Sequence, residues 1–212
     1  MESPYNREYI FCLGWNRTGT RTFDQCLRLF NIKSAHWPGV KHLCAAWAEK
    51  NWSRFKHFVV TSPFDAFSDA PWCFPEVYRH LDDFFPNAKF VLTIRDEDKW
   101  ISSYKNLYER HVENHSNLTE IPLISNTEEY GWIHPIIFEG CRIITGNEKI
   151  YKRIFNKHND EVISHFQHRP EKLLVIDWEK NGSSWDTLAA FLEKDIPEQN
   201  FPWVKDKRKI YE

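Results

Sequence analysis

The sequence predicts an α/β fold of three layers, with a mostly parallel central sheet flanked by helices. Three observations predict it. Short apolar runs alternate with helix-length amphipathic stretches along the whole chain. The first run, Tyr9 to Leu13, stops at Gly14, and a helical pattern opens at Thr20 just after a second glycine, Gly19. The clearest run, Lys89 to Ile94, is apolar and β-branched and stops at Arg95-Asp96, before another helical pattern. A length of 212 residues with 42% apolar and 27% charged side chains suits one domain, 1–212, with one sizeable core.

In order, Tyr9 to Leu13 reads as a central buried strand, and Thr20 to Phe30 as a helix with Phe23, Leu27 and Phe30 on one stripe. Lys33 to Trp37 reads as a short strand, Val40 to His57 as a helix, and Phe64 to Asp69 as a further short strand ending at Asp69-Ala70-Pro71. Glu76 to Phe85 is a helix halted by Pro86-Asn87. Lys89 to Ile94 is a strand, and Asp98 to Val112 is the helix after it. Asn114 to Pro135 is polar and irregular, the mark of a lid or acceptor-binding insertion around 112–150. Ile136 to Phe166 reads as helical with breaks near Gly140 and Gly146. Leu173 to Ile176 is the last strand, followed by a loop from Asp177 to Gly182, a helix from Ser184 to Glu193 and an irregular tail marked by Pro197 and Pro202. In such a sheet, ligands bind at the carboxyl ends of the strands, so Gly14, Asp69, Arg95 and Asp177 should meet on one rim.

Composition excludes several classes. A net charge of -2 gives no global basic field, so neither nucleic acid nor an anionic membrane is expected as a partner. Five cysteines at irregular spacing, with no C-x-x-C pair, read as free thiols in a reducing compartment. The segment from Met1 to Glu8 is polar, and no run is long enough to span a bilayer, so a cytoplasmic protein is the expectation. Oligomeric state is not legible.

The chemistry concentrates in two places. Gly14 and Gly19 have the G-x-x-x-x-G spacing of a phosphate-binding P-loop. Thr20 stands where an NTPase has its lysine, and Arg21 stands where it has the magnesium-binding Ser/Thr. The cation has moved inside the loop, to Arg17. Backbone N–H groups, the helix dipole, Arg17 and the Thr18 and Thr20 hydroxyls suit a tetrahedral dianion without a metal. The second place is Arg95 with Ser103, eight positions later on the following helix. Together they can grip another phosphate group, Arg by a fork and Ser by one hydrogen bond.

These two places together resemble the sulfotransferase family that uses 3'-phosphoadenosine 5'-phosphosulfate (PAPS). The loop Asn16-Arg17-Thr18-Gly19-Thr20-Arg21 is similar to its P-R-T-G-T-T, and Arg95…Ser103 to its strand-end Arg and following Ser. The stretch from Phe84 to Trp100 resembles the F-P-x-A-K-F-I-L-T-x-R-D-x-x-x-W signature of the small bacterial-type branch. Leu173 to Asp177, Trp185 to Leu192 and Phe201-Pro202 are also similar to that branch. The resemblance implies a P-loop fold, PAPS as cofactor, 3',5'-ADP as product and a small-molecule acceptor. It places the 5'-phosphosulfate on Asn16, Arg17, Thr18, Gly19, Thr20, Arg21 and Thr22, and the 3'-phosphate on Arg95 and Ser103. Asn16 replaces the usual Pro and Arg21 the usual second Thr, so Arg21 either adds a phosphate contact or marks a drift in cofactor preference.

Transfer to a hydroxyl or amine acceptor needs negative charge stabilised on the departing oxygen, the role of Arg17, and a general base. Asp69, at a strand end beside the loop, is the first candidate, ahead of Asp65 and His36. Acceptor contacts are expected around Trp132, His134 and Phe138. The basic tail from Lys205 to Lys209 is either a solvated end or folds back on the 3'-phosphate. Two competing readings remain. One is a magnesium-dependent kinase-like enzyme using Asp177, and the other is a non-catalytic P-loop binding protein.

Overall fold

The structure is a computed structural model that describes residues 4–36, 43–113, 133–141, 143–180 and 185–204. Five strands form one all-parallel sheet: β1 (Ile10–Cys12), β2 (Ser34–Ala35), β3 (Ala66–Phe67), β4 (Lys89–Ile94) and β5 (Leu173–Asp177), in the order β2-β3-β1-β4-β5. The chain first moves to one side of β1 and then crosses to the other, so the direction of winding reverses at the β1–β4 junction. The crevice at such a reversal is where open parallel sheets take ligands. The loops after β1 and after β4 both open there, as the strand-end readings at Gly14 and Arg95 require.

Period-two alternation divides the sheet's side chains between two cores. Ile10, Cys12, Ala66, Val91 and Ile176 face α1 (Thr20–Leu29) and the helix Trp185–Leu192 on one side. Tyr9, Phe11, Leu13, Phe67, Phe90 and Leu92 pack in the larger core on the other. That side carries α2 (Leu43–Ala48), α3 (Trp52–Thr61), α4 (Val77–Phe84), α5 (Glu97–Glu113), α6 (Ile133–Ile137) and α7 (Glu148–Phe166), while Trp185–Leu192 is α8. The aromatic richness of the sequence is spent here. Phe11 stacks on Phe67 at 5.3 Å and on Phe90 at 5.7 Å, and Trp72 packs against Phe67 at 4.8 Å.

Two expectations are revised and a third holds. The helix expected over Val40 to His57 is two helices, α2 and α3, because Lys50 takes a left-handed conformation (φ 53°) and Asn51 starts the second. The irregular stretch expected to run through Pro135 ends sooner, since Ile133–Ile137 is helical. Pro135 sits in its first turn, where a missing N–H breaks no intrahelical bond. The stretch from Ile136 to Phe166 is helical with breaks at Gly140 and Gly146, as expected: both glycines are at positive φ, and the long helix is Glu148–Phe166. Most of the expected insertion (114–132, with Trp132) and the basic tail (205–209) lie outside the described residues.

Candidate active site

Gly14 ends the β1 segment because nothing larger fits. A Cβ there would lie 1.9 Å from Thr93 Oγ1 and 2.5 Å from the Thr93 carbonyl oxygen. This contact lets the loop lie flat on β4. Thr18 completes the attachment, with its hydroxyl 2.7 Å from Thr93 Oγ1 and its N–H donating to the Trp15 carbonyl. Behind β1, the buried His158 of α7 donates from Nε2 to the Leu13 carbonyl at 2.9 Å. Burial pulls its pKa down to about 4, so it is a neutral anchor. Trp100 of α5 donates to the Asn16 carbonyl at 3.1 Å while its ring stacks on Phe155 at 4.2 Å, which accounts for a tryptophan at that place in the signature.

Gly19 has φ +97° and precedes the first turn of α1, where no side chain caps the helix. A Cβ on Gly19 would strike the indole of Trp178 at 2.4 Å. Trp178, buried after β5, therefore packs against the loop where it turns into the helix. The uncapped first-turn N–H groups form the positive end of the α1 dipole.

The structure brings most of the singled-out residues onto one rim. Arg17, at φ 73°, donates from Nε to Ser103 Oγ at 2.9 Å across the crevice. Arg95 turns toward the loop and donates from Nη1 to the Arg17 carbonyl at 3.3 Å. Its Nη2 donates to Glu179 at 2.7 Å, and its Nε is buried with no hydrogen-bond partner among the described residues. Arg95 and Ser103, with Asp98, Lys99, Ser102 and Asn106, line a cleft of about 500 Å³.

Other residues stand differently. The Thr18 hydroxyl points into the core, and Thr22 accepts from the Val204 N–H at 3.3 Å, tying the chain's late segment to α1. The Thr20 hydroxyl donates to Asp69 Oδ2 at 3.4 Å, and Arg21 is exposed. Asp177 caps its own turn, with Oδ1 accepting the N–H groups of Glu179 and Lys180.

Asp69 lies one hydrogen bond from the start of α1, in a left-handed conformation (φ 69°) that Asp tolerates. His36 is beside it, with Nε2 3.6 Å from Asp69 Oδ2 and Nδ1 2.8 Å from Ser68 Oγ. Two base candidates thus form one pair. The register of β2 on β3, Ala35 opposite Phe67, dictates it by carrying both chain ends to the same rim. Asp65 instead sits before β3, paired with Arg7. His134 and Phe138, expected at an acceptor pocket, are buried, with Phe138 packed against Tyr151 at 4.3 Å and Trp15 at 5.8 Å. Sequence reasoning did not single out Lys99 or Glu179 as site residues.

A family model described as "Sulfotransferase domain" matches residues 9–210, nearly the whole chain. The chain belongs to the sulfotransferase family. This sulfotransferase resembles a solved structure titled "Sulfotransferase Domain from the Curacin Biosynthetic Pathway". Identity is 14%, over 92% of this chain and 78% of that one, with a TM-score of 0.48. No curated protein matches its sequence. Among the described residues, no cluster of His, Cys, Asp and Glu could hold a metal ion, and no helix is long and apolar enough to cross a membrane. The buried Cys12 beside the loop is no nucleophile, since burial pushes its thiol up to about 12.

Proposed function

We propose that this sulfotransferase uses PAPS as donor, transfers its sulfuryl group to a hydroxyl or amine of a small acceptor, and releases 3',5'-ADP. The observation that carries the proposal is the link from Arg95 to the Arg17 carbonyl and from Arg17 to Ser103, which joins two anion grips across one crevice. The residues fit the donor. The loop leaves no room for a Cβ at either glycine, and Arg95 has a buried donor still to satisfy.

PAPS, when bound, supplies the sulfuryl group and a nucleotide that can leave. Arg95 and Ser103 take its 3'-phosphate, and the loop with the first turn of α1 takes its 5' end. Asp69 accepts the acceptor's proton as the acceptor–sulfur bond forms and the sulfur–oxygen bond to the nucleotide breaks. Arg17 and the α1 N–H groups stabilise the charge left on the departing oxygen. His36 orients the Asp69 carboxylate from 3.6 Å. The setting proposed for this chemistry is the cytoplasm, with no role for nucleic acid or membrane.

Thermal shift in the absence and presence of magnesium tests the donor class. At a hundredfold excess over Kd, 3',5'-ADP without metal should stabilise the protein by about 2.7 kcal/mol, roughly 5–11 °C in Tm. Arg95→Ala should remove most of that shift. Stabilisation by ATP with magnesium alone would instead favour the kinase-like reading.

Asp69→Asn keeps an oxygen for the Ala70 N–H, which now donates to Oδ1 at 2.8 Å, but removes the basic site. Single-turnover transfer from labelled PAPS, with an acceptor chosen from a panel of alcohols, phenols and amines, should slow by about 10²–10⁴-fold. Affinity for 3',5'-ADP should not change. Transfer within threefold of the wild type would remove Asp69 from the base role.

A further inference from the structure

One carboxylate beside the crevice holds two cations. Glu179, in the turn after β5, accepts from Arg95 Nη2 at 2.7 Å through one oxygen and from Lys99 Nζ at 2.7 Å through the other. Arg95 ends the β4 segment and Lys99 lies in the first turn of α5, so Glu179 spans the two elements that frame the cleft. The hydrogen bond from Lys99, with Arg95 alongside, holds the Glu179 carboxyl below the usual carboxylate range. Its backbone is fixed because its N–H donates to Asp177 Oδ1 at 3.0 Å. Its side chain is 31% exposed, so solvent lies beside it.

We infer that Glu179 is an internal stand-in for the donor's 3'-phosphate, holding Arg95 and Lys99 in the ligand-free protein and yielding both when that phosphate binds. The inference rests on the reading of Arg95 and Ser103 as the 3'-phosphate grip. A carboxylate and a phosphate oxygen ask the same of a guanidinium and an ammonium: charge-assisted hydrogen bonds to a planar fork and to a point donor. With Glu179 in place, neither cation faces the cleft uncompensated, and Arg95 keeps only Nε without a partner. A dianionic phosphate brings more charge than one carboxylate and displaces it. A nucleotide lacking the 3'-phosphate brings no such group and leaves Glu179 where it is. Lys99 thereby becomes a third contact for the 3'-phosphate, and Glu179 sets how much charge a ligand must carry to open the grip.

The test is calorimetry with 3',5'-ADP and 5'-AMP on the wild type, Glu179→Gln and Lys99→Met. Glu179→Gln keeps the shape but removes the competing charge, so 3',5'-ADP should bind about tenfold more tightly, as expected for releasing two partly exposed ion pairs. Affinity for 5'-AMP should stay within twofold. Lys99→Met should weaken 3',5'-ADP about tenfold and leave 5'-AMP unchanged. If Glu179→Gln binds 3',5'-ADP no better than the wild type, or worse, Glu179 is a fixed brace for Arg95 and the inference is overturned. Equal weakening of both nucleotides by Lys99→Met overturns it as well. Failure of the underlying reading is seen separately, in a wild type that does not prefer 3',5'-ADP to 5'-AMP. Melting of the unliganded variants within a few degrees of the wild type shows that the fold is intact.

Discussion

Arg17→Ala is expected to slow sulfuryl transfer by about 10²–10³-fold, the usual cost of removing one preorganised donor aimed at developing charge. The backbone gives no competing explanation. Arg17 already sits at φ 73°, so alanine meets the same left-handed strain as arginine and the loop path is kept. What is lost is the guanidinium and its 2.9 Å bond to Ser103. Arg17→Lys keeps the charge but cannot reproduce the Nε geometry, so it should recover part of the rate. Affinity for 3',5'-ADP should fall much less than the rate, because Arg95 remains. Single-turnover rates and equilibrium binding, measured on the same preparations, separate the two effects. An Arg17→Ala protein that transfers at the wild-type rate would put the charge stabilisation elsewhere.

Gly14→Ala is expected to be the most damaging small change for stability. The new methyl would lie 1.9 Å from Thr93 Oγ1, 2.5 Å from the Thr93 carbonyl oxygen and 2.8 Å from its nitrogen. The hydroxyl can rotate, but the Thr93 backbone is held in the sheet by its pairing with Ile176 of β5 and has little room to retreat. Overpacking against fixed backbone should cost about 3 kcal/mol, or roughly 6–12 °C in Tm. Gly146→Ala is the control. Gly146, unlike Gly14, has positive φ, but nothing lies within 4 Å of its added Cβ, so only about 1 kcal/mol of conformational cost is expected. Differential scanning calorimetry of both variants checks the contrast. A Gly14→Ala protein melting within 2 °C of the wild type would mean that the loop does not lie on β4 as described.

Much of the fold was legible because its signals are local. Lys89 to Ile94 is strand over the full predicted span, since an apolar, β-branched run between Pro86-Asn87 and Arg95-Asp96 leaves little choice. The loop between Gly14 and Gly19 was legible because both glycines are sterically required. Less legible were turns made by ordinary residues. Lys50 at positive φ splits a helical pattern, and no glycine marks it. The short β2 and β3 span two residues each, less than the apolar runs around them suggest.

In the site, the nearness of Asp69 and His36 follows from two adjacent parallel strands and was open to inference once the strand order is known. The roles of Lys99 and Glu179 were not open to inference. They meet across 80 residues of sequence, and a surface Lys and Glu carry no periodicity that marks a partner. The inward turn of the Thr18 hydroxyl was hidden for the same reason. Its partner, Thr93, lies 75 positions away on a neighbouring strand.

The central claim is that two anion grips on one rim hold a nucleotide phosphorylated at both ends. Comparing the calorimetric Kd of 3',5'-ADP with that of 5'-AMP on the wild-type protein, without divalent metal, tests it most directly. Charge-assisted hydrogen bonds to the 3'-phosphate, chiefly from Arg95, predict a preference of about thirtyfold for 3',5'-ADP, reduced to a few-fold in Arg95→Ala. Equal affinity for the two nucleotides on the wild type would contradict the account.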